Sequence, residues 1–262
     1  MFSVADHLVH VEGEALPRDV DLSALRALLA TGARCRAPVR GTVYGTLLND
    51  RGALEALGDA VNAPPYKAPP RAPVLYVKPR NTLAGHRARV VVPDETGVQA
   101  GASLGIVLGR TAARVAQADA FDYIAGYTLV ADLSVPHASV YRPSVRFRAR
   151  DNFCAIGPAV LARRHVADPD DLSITVDIEG RPAFRASTAA CVRGVAQLLA
   201  EVTDFMTLYA GDVITLGVPH GAPVVQAGER ATLAIGDWPA LTLDFDAPPS
   251  SRVTQPTPGD LA

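Results

Sequence analysis

VQAGASLGIVLGRTAARVAQADAFDYIAGYTLVAD, residues 98–132, decides the fold of this 262-residue chain. Small residues lead into an apolar strand at Leu104–Leu108, and Gly109 breaks it. A short helix over Gln117–Tyr123 then returns the chain to a second apolar strand that ends on Asp132. An acid at the end of an apolar strand marks a candidate site. Beyond it, Arg142, Arg146, Arg148 and Arg150 alternate with Pro143, Val145, Phe147 and Ala149, and Asp151 closes the run. In extended backbone the four guanidinium groups would share one face. Such a face repels itself unless acids or an anion intervene. It reads equally as a cradle for a di- or tricarboxylate and as a solvated face paired with Asp132 and Asp151.

Working outward, strand signals dominate. GTVYGTLL (41–48), VLYVKP, RARVVVP, residues 152–161 and LSITVDIEGRPAFRA read as strands, with Glu179-Gly180 as a hairpin turn. DVITLGVP, RATLAIG and ALTLDFD complete an antiparallel set. Asp50 caps a short helix to Leu57, and NAPPYKAPPRAP is too rich in proline for helix or central strand. Ala189–Leu208 is the one long helix. Many short strands with few helices predict a β-rich α+β fold. The domain plan is an appendage over 1–40, with an amphipathic helix capped by Asp21 and ended at Gly32, a main domain over 41–246, and a mobile Pro/Ser/Thr-rich tail over 247–262.

A hydrophobic share of 48% suits a globular protein with a sizeable core, and the net charge of −2 gives no reason to expect nucleic acid or an anionic membrane as partner. Cys35, Cys154 and Cys191 are odd in number and widely spaced, which fits reduced thiols and a cytoplasmic protein. The opening MFSVADHLVHVEGE lacks the basic and apolar blocks of a signal peptide, and no run is long enough to span a bilayer. His7, His10, Glu12 and Glu14 read as the polar face of an edge strand or a frayed terminus, in preference to a metal cluster.

Several landmarks, in order, make a pattern: KPRNTL at 78–83, a strand ended by Gly109, GY at 126–127, Asp132, RARD at 148–151, a helix ended by FMTL, GD at 211–212 and GVPHG at 217–221. From about Gly41 to about Asp246 this pattern resembles the fumarylacetoacetate hydrolase family. Within the family it is similar to the amino-terminal repeat of the two-repeat isomerase/decarboxylases of aromatic-acid degradation. The resemblance implies a rolled mixed β structure, dimerisation with itself or with a second family member, and a 2-oxo dicarboxylate as small-molecule substrate. In the family, a Glu-x-Glu pair joins the later Asp to hold Mg²⁺ or Mn²⁺. Gly101 and Ser103 stand at those two positions here, and Arg148 replaces the family's catalytic Lys. With one carboxylate left, the site is expected to hold no metal, because these cations need several oxygen ligands.

The candidate catalytic residues are Asp132, Arg148 and Asp151; the resemblance gives Lys78 and Arg80 substrate-contacting places, and Arg142 of the basic run, with Gly217 and His220 of GVPHG, are further substrate-binding candidates. Gly217 and Gly221 would let backbone approach a ligand. His220 reads more readily as a turn residue than as an acid or base. Ser134 and His137 have no third partner that makes a nucleophilic triad, and no GxSxG elbow is present. Three functions remain open: an isomerase/decarboxylase subunit whose arginines replace the metal, a silent partner of a metal-binding relative, and a metal-dependent acylpyruvate hydrolase.

Overall fold

The computed structural model describes residues 22–137 and 144–249, together with the backbone of 2–4 and 7–9. The His7, His10, Glu12 and Glu14 side chains, Arg142 and the tail beyond 249 lie outside the described residues. The strands in chain order are β1 (Phe2–Val4), β2 (His7–Val9), β3 (Val43–Leu47), β4 (Val74–Lys78) and β5 (Leu83–Ala84). They continue with β6 (Arg89–Val91), β7 (Val98–Leu108), β8 (Ile124–Ser134), β9 (Cys154–Ala162) and β10 (Ser173–Ile178). The last are β11 (Phe184–Ser187), β12 (Val213–Thr215), β13 (Val224–Val225), β14 (Arg230–Ile235) and β15 (Leu241–Asp246). The α-helices are α1 (Leu22–Ala30), α2 (Arg51–Leu57), α3 (Val145–Arg148) and α4 (Val195–Phe205).

The larger sheet runs β1-β2-β9-β8-β7-β12-β3-β4, with β13 added beside β7 and β5 beside β9. The smaller runs β11-β10-β14-β15-β6. This is the strand-rich α+β architecture expected. The antiparallel set is real for β14 and β15, but β12 belongs to the other sheet, parallel to β3 and antiparallel to β7.

Side chains alternate across a strand, and this sorts the core into two. Even positions of β7 (Leu104, Ile106) and odd positions of β8 (Leu129, Leu133) enter the main core, shared with Ile174, Leu233 and Leu243 of the smaller sheet and with Leu198 and Val202 of α4. The opposite face, with Val43, Val130, Ile156, Val160 and Val213, forms a second cluster. Asp132 shares the parity of Val130, so the strand that packs the second cluster also aims the acid. Helix α1 buries Leu25 and Leu29 in the main core.

Two helices differ from expectation. The long helix starts at Val195, because Arg193 is tied to Asn49 through its backbone N–H and C=O, and the chain at Gly194 is extended. The Gln117–Tyr123 segment is a 3₁₀ helix. A larger correction falls on the basic run. Val145–Arg148 is a helical turn, with the Arg148 N–H on the Ser144 carbonyl and the Ala149 N–H on that of Val145, so Arg146, Arg148 and Arg150 do not share a strand face.

Candidate active site

Register places the site. On β7 and β8, Gly101 pairs with Asp132 and Ser103 with Val130; on β3 and β4, Val43 pairs with Lys78. These positions lie on the face of the second cluster. Tyr76 and Lys78, two residues apart, reach Asp132 from the same face of β4.

Lys78 and Asp132 form an ion pair with 2.8 Å between Nζ and Oδ1, both side chains fully sheltered from solvent. The ammonium has three protons, and three carbonyls accept them: Leu133 at 2.8 Å, Phe153 at 2.9 Å and Arg148 at 3.2 Å. Oδ1 of Asp132 is therefore held by charge and has no directional hydrogen bond of its own. At 2.8 Å and an effective dielectric near 20 this attraction is about 6 kcal/mol before the cost of desolvation. Oδ2 accepts a hydrogen bond from the Tyr76 hydroxyl. Burial, and then the negative charge of Asp132, holds the Tyr76 phenol well above its ordinary pKa, so it stays neutral.

Arg148 completes the group. Its Nη1 donates to the Tyr76 oxygen at 3.2 Å and lies 3.9 Å from Asp132 Oδ1, and its guanidinium stacks over the Tyr76 ring at 4.7 Å. Tyr76 and Arg148 border a cavity of about 180 Å³, together with Gln99, His137, Val218 and His220. His137 stacks on Phe147 at 4.9 Å, nearly parallel. Its Nδ1 lies 2.8 Å from the Val135 carbonyl. A carbonyl only accepts, so the neutral ring carries its proton on Nδ1 and keeps a lone pair on Nε2. That nitrogen is buried with no partner among the described residues. Burial lowers the His137 pKa against the Val135 hydrogen bond, and the Arg148 cation lowers it further.

Of the remaining sequence candidates, His220 borders the cavity, whereas Asp151 and Arg80 lie away from it. The His220 N–H donates to Asp50 Oδ1 at 3.0 Å, the oxygen that also caps α2 through Ala53, so the 217–221 loop is fastened to the cavity rim. The Gly217 N–H donates to Ser103 Oγ at 3.1 Å. Asp151 accepts from Asn81 Nδ2 at 2.8 Å on an exposed loop, and Arg80 lines a different groove. Sequence reasoning passed over Tyr76, although its spacing from Lys78 in VLYVK signals a shared face. For His137 no pattern in the sequence points to the cavity.

The residues do not fit a divalent cation. Among the described residues Asp132 is the one carboxylate at the centre, and its charge is countered by Lys78. A Cβ added at Gly101 would lie 2.7 Å from both methyls of Val218 and from the Asp132 carbonyl, so Val218 fills the space a side chain there would use. Ser103 spends its oxygen on Gly217. Among the described residues no group of three His, Cys, Asp or Glu side chains is placed to hold an ion, and no helix is long and apolar enough to cross a membrane.

Comparison with known proteins agrees with this architecture. The chain is 39% identical over 203 residues to the 4-hydroxyphenylacetate degradation bifunctional isomerase/decarboxylase of Escherichia coli, covering 78% of this chain and 46% of that protein. It thus spans about half the length of the curated relatives it matches first. Among solved structures, 5-carboxymethyl-2-hydroxymuconate delta-isomerase from Mycobacterium smegmatis superposes with a TM-score of 0.68 at 24% identity, over 83% of this chain and 82% of that one. Maleylpyruvate hydrolase from Sphingobium sp. SYK-6, in complex with manganese(II) and pyruvate, gives 0.68 at 24% identity over 87% and 81%. At that identity these two speak for the fold alone. The family model described as fumarylacetoacetate (FAA) hydrolase C-terminal matches residues 42–245, and the chain belongs to that family.

Proposed function

We propose that this chain is a subunit of an isomerase/decarboxylase of 2-oxo dicarboxylates in aromatic-acid catabolism, and that its own cavity works without a metal ion. The observation that carries the reading is the closed Lys78–Asp132–Tyr76 group beside a cavity edged by Arg148 and two histidines. The likeness to one half of the Escherichia coli isomerase/decarboxylase supports the reaction class. Arg148 is the group suited to a substrate carboxylate or an enolate oxygen. The lone pair on His137 Nε2 suits proton transfer between carbon and oxygen, with His220, which also lines the cavity, as a second candidate. Keto–enol isomerisation needs no more than this. Loss of CO₂ from a 2-oxo acid needs an electron sink, commonly a metal, so we assign that step to a carboxylate-bearing partner, either a second family member or another part of the assembly.

The test is an assay of the purified chain on oxaloacetate and on longer 2-oxo dicarboxylates, following enol absorbance with chelator and then with Mg²⁺ or Mn²⁺. The reading expects tautomerisation that chelator leaves unchanged and that Arg148→Gln lowers by about tenfold or more. Metal-dependent turnover would sink it in favour of the hydrolase reading. A second reading, a silent partner that keeps the fold and lends its surface, is favoured by Val218 in the space beside Gly101. Absence of turnover in the single chain, with activity restored in a metal-binding partner on mixing, would establish that reading instead.

A further inference from the structure

A second and larger concavity of about 1190 Å³ lies between residues 34–42 and 77–89. Arg34, Arg36, Arg40, Arg80, Arg87 and Arg89 line it, and among the described residues no Asp or Glu does, in a chain whose net charge is −2. Arg89 is held by Asp246 at 2.6 Å and Arg87 stands 4.0 Å from Asp244, both carboxylates outside the lining. Arg34, Arg40 and Arg80 are exposed and have no carboxylate partner among the described residues.

The walls are fixed by the fold. A Cβ at Gly85 would lie 2.0 Å from the Cys35 carbonyl, so the 34–40 segment packs directly on the 83–87 segment. The Thr242 N–H donates to His86 Nδ1 at 3.2 Å, and Asn152 Nδ2 donates to the Arg89 carbonyl at 2.9 Å. Guanidinium groups gathered in a concave wall raise one another's potential, and the low-dielectric wall focuses it. An anion is the natural counterweight.

We propose that this groove is a binding site for a small, multiply charged oxyanion, a polyphosphate or a polycarboxylate, separate from the Tyr76–Arg148 cavity. Guanidinium forks match the paired oxygens of both groups. Among the described residues no Phe, Tyr or Trp lines the groove, so they offer no stacking platform of the kind single-stranded nucleic acid uses. The volume exceeds what one phosphate fills and suits an extended anion. Strand β4 joins the two sites: Val77 and Lys78 line the groove, and Tyr76 lines the cavity.

The experiment is calorimetric titration of the full chain with inorganic tripolyphosphate and, separately, with citrate, at low and at raised salt. One equivalent is expected to bind, more weakly at raised salt. The double substitution Arg34→Ala/Arg40→Ala is expected to weaken binding by about tenfold or more while leaving the far-ultraviolet spectrum unchanged. Preference for one anion identifies the source as phosphate or carboxylate. Binding that the double variant leaves unchanged, binding of many equivalents, or no binding of either anion overturns the proposal. So does an oligonucleotide that binds where both small anions fail. None of these outcomes depends on catalytic activity.

Discussion

Replacing Lys78 by Met tests the centre of the structure most directly. The substitution keeps the length and packing of the stem and removes the ammonium. Asp132 would keep the Tyr76 hydroxyl and an Arg148 nitrogen 3.9 Å away, and would lose its buried countercharge. The carbonyls of Leu133, Phe153 and Arg148 would lose their donor at the same time. Breaking a buried pair from one side costs about 3–5 kcal/mol. The converse change, Asp132→Asn, leaves the ammonium with all three carbonyl acceptors, so its cost falls in the range of a lost charged interaction, about 1–3 kcal/mol. The prediction is an asymmetry, with Lys78→Met the more damaging. Urea unfolding at neutral pH, followed by circular dichroism and by fluorescence of the single Trp238, measures both. A Lys78→Met loss below about 1 kcal/mol, or a greater loss in Asp132→Asn, would refute the assignment of the three ammonium protons. If Lys78→Met does not accumulate in folded form, a loss above about 4 kcal/mol in Asp132→Asn would refute it alone.

Other expectations follow from the same structure. Burial, and then the Arg87 cation, hold His86 at a pKa of about 4 against an ordinary 6.5. The unfolded chain therefore takes up this proton before the folded one, and stability falls as pH drops through 6.5 toward 4, by about 2 kcal/mol between pH 7 and pH 5; denaturation across that range should show the slope, and His86→Gln should flatten it. Gly101→Glu should cost about 1–3 kcal/mol through crowding against Val218 alone and create no metal affinity by titration with Mn²⁺; tight one-to-one binding in that variant would contradict the account of the site. Burial pushes the Cys154 and Cys191 thiols up to about 12, so a disulfide reagent at mild alkaline pH should find both unreactive in the native chain and all three thiols in urea.

Much of this was legible in the sequence, and the reasons are local. The apolar runs on either side of Gly109 could only be strands, and their antiparallel pairing sets Gly101 opposite Asp132 as the family pattern implies. Hidden were the features fixed by partners distant in sequence. Nothing near Lys78 shows that its ammonium is spent on Leu133, Phe153 and Arg148, more than 50 residues downstream. The arginine alternation suggested a strand, but Ser144 accepts the first hydrogen bonds of a helical turn and rotates Arg146 away from Arg148. His137 gave no signal because its tautomer depends on a carbonyl two residues back and its stacking on Phe147.

Val218 over Gly101 also bears on how such a site changes over generations. A three-carboxylate centre would need a side chain at 101, an acid at 103 and an Asp132 no longer bound to Lys78. Each step taken alone is penalised: the first collides with Val218, the second removes the hydroxyl that holds Gly217, and the third strands a buried charge. Single-step intermediates are therefore less stable than the present chain. A chain with this arrangement is held there by its own packing, and building a metal centre in it would take several simultaneous changes.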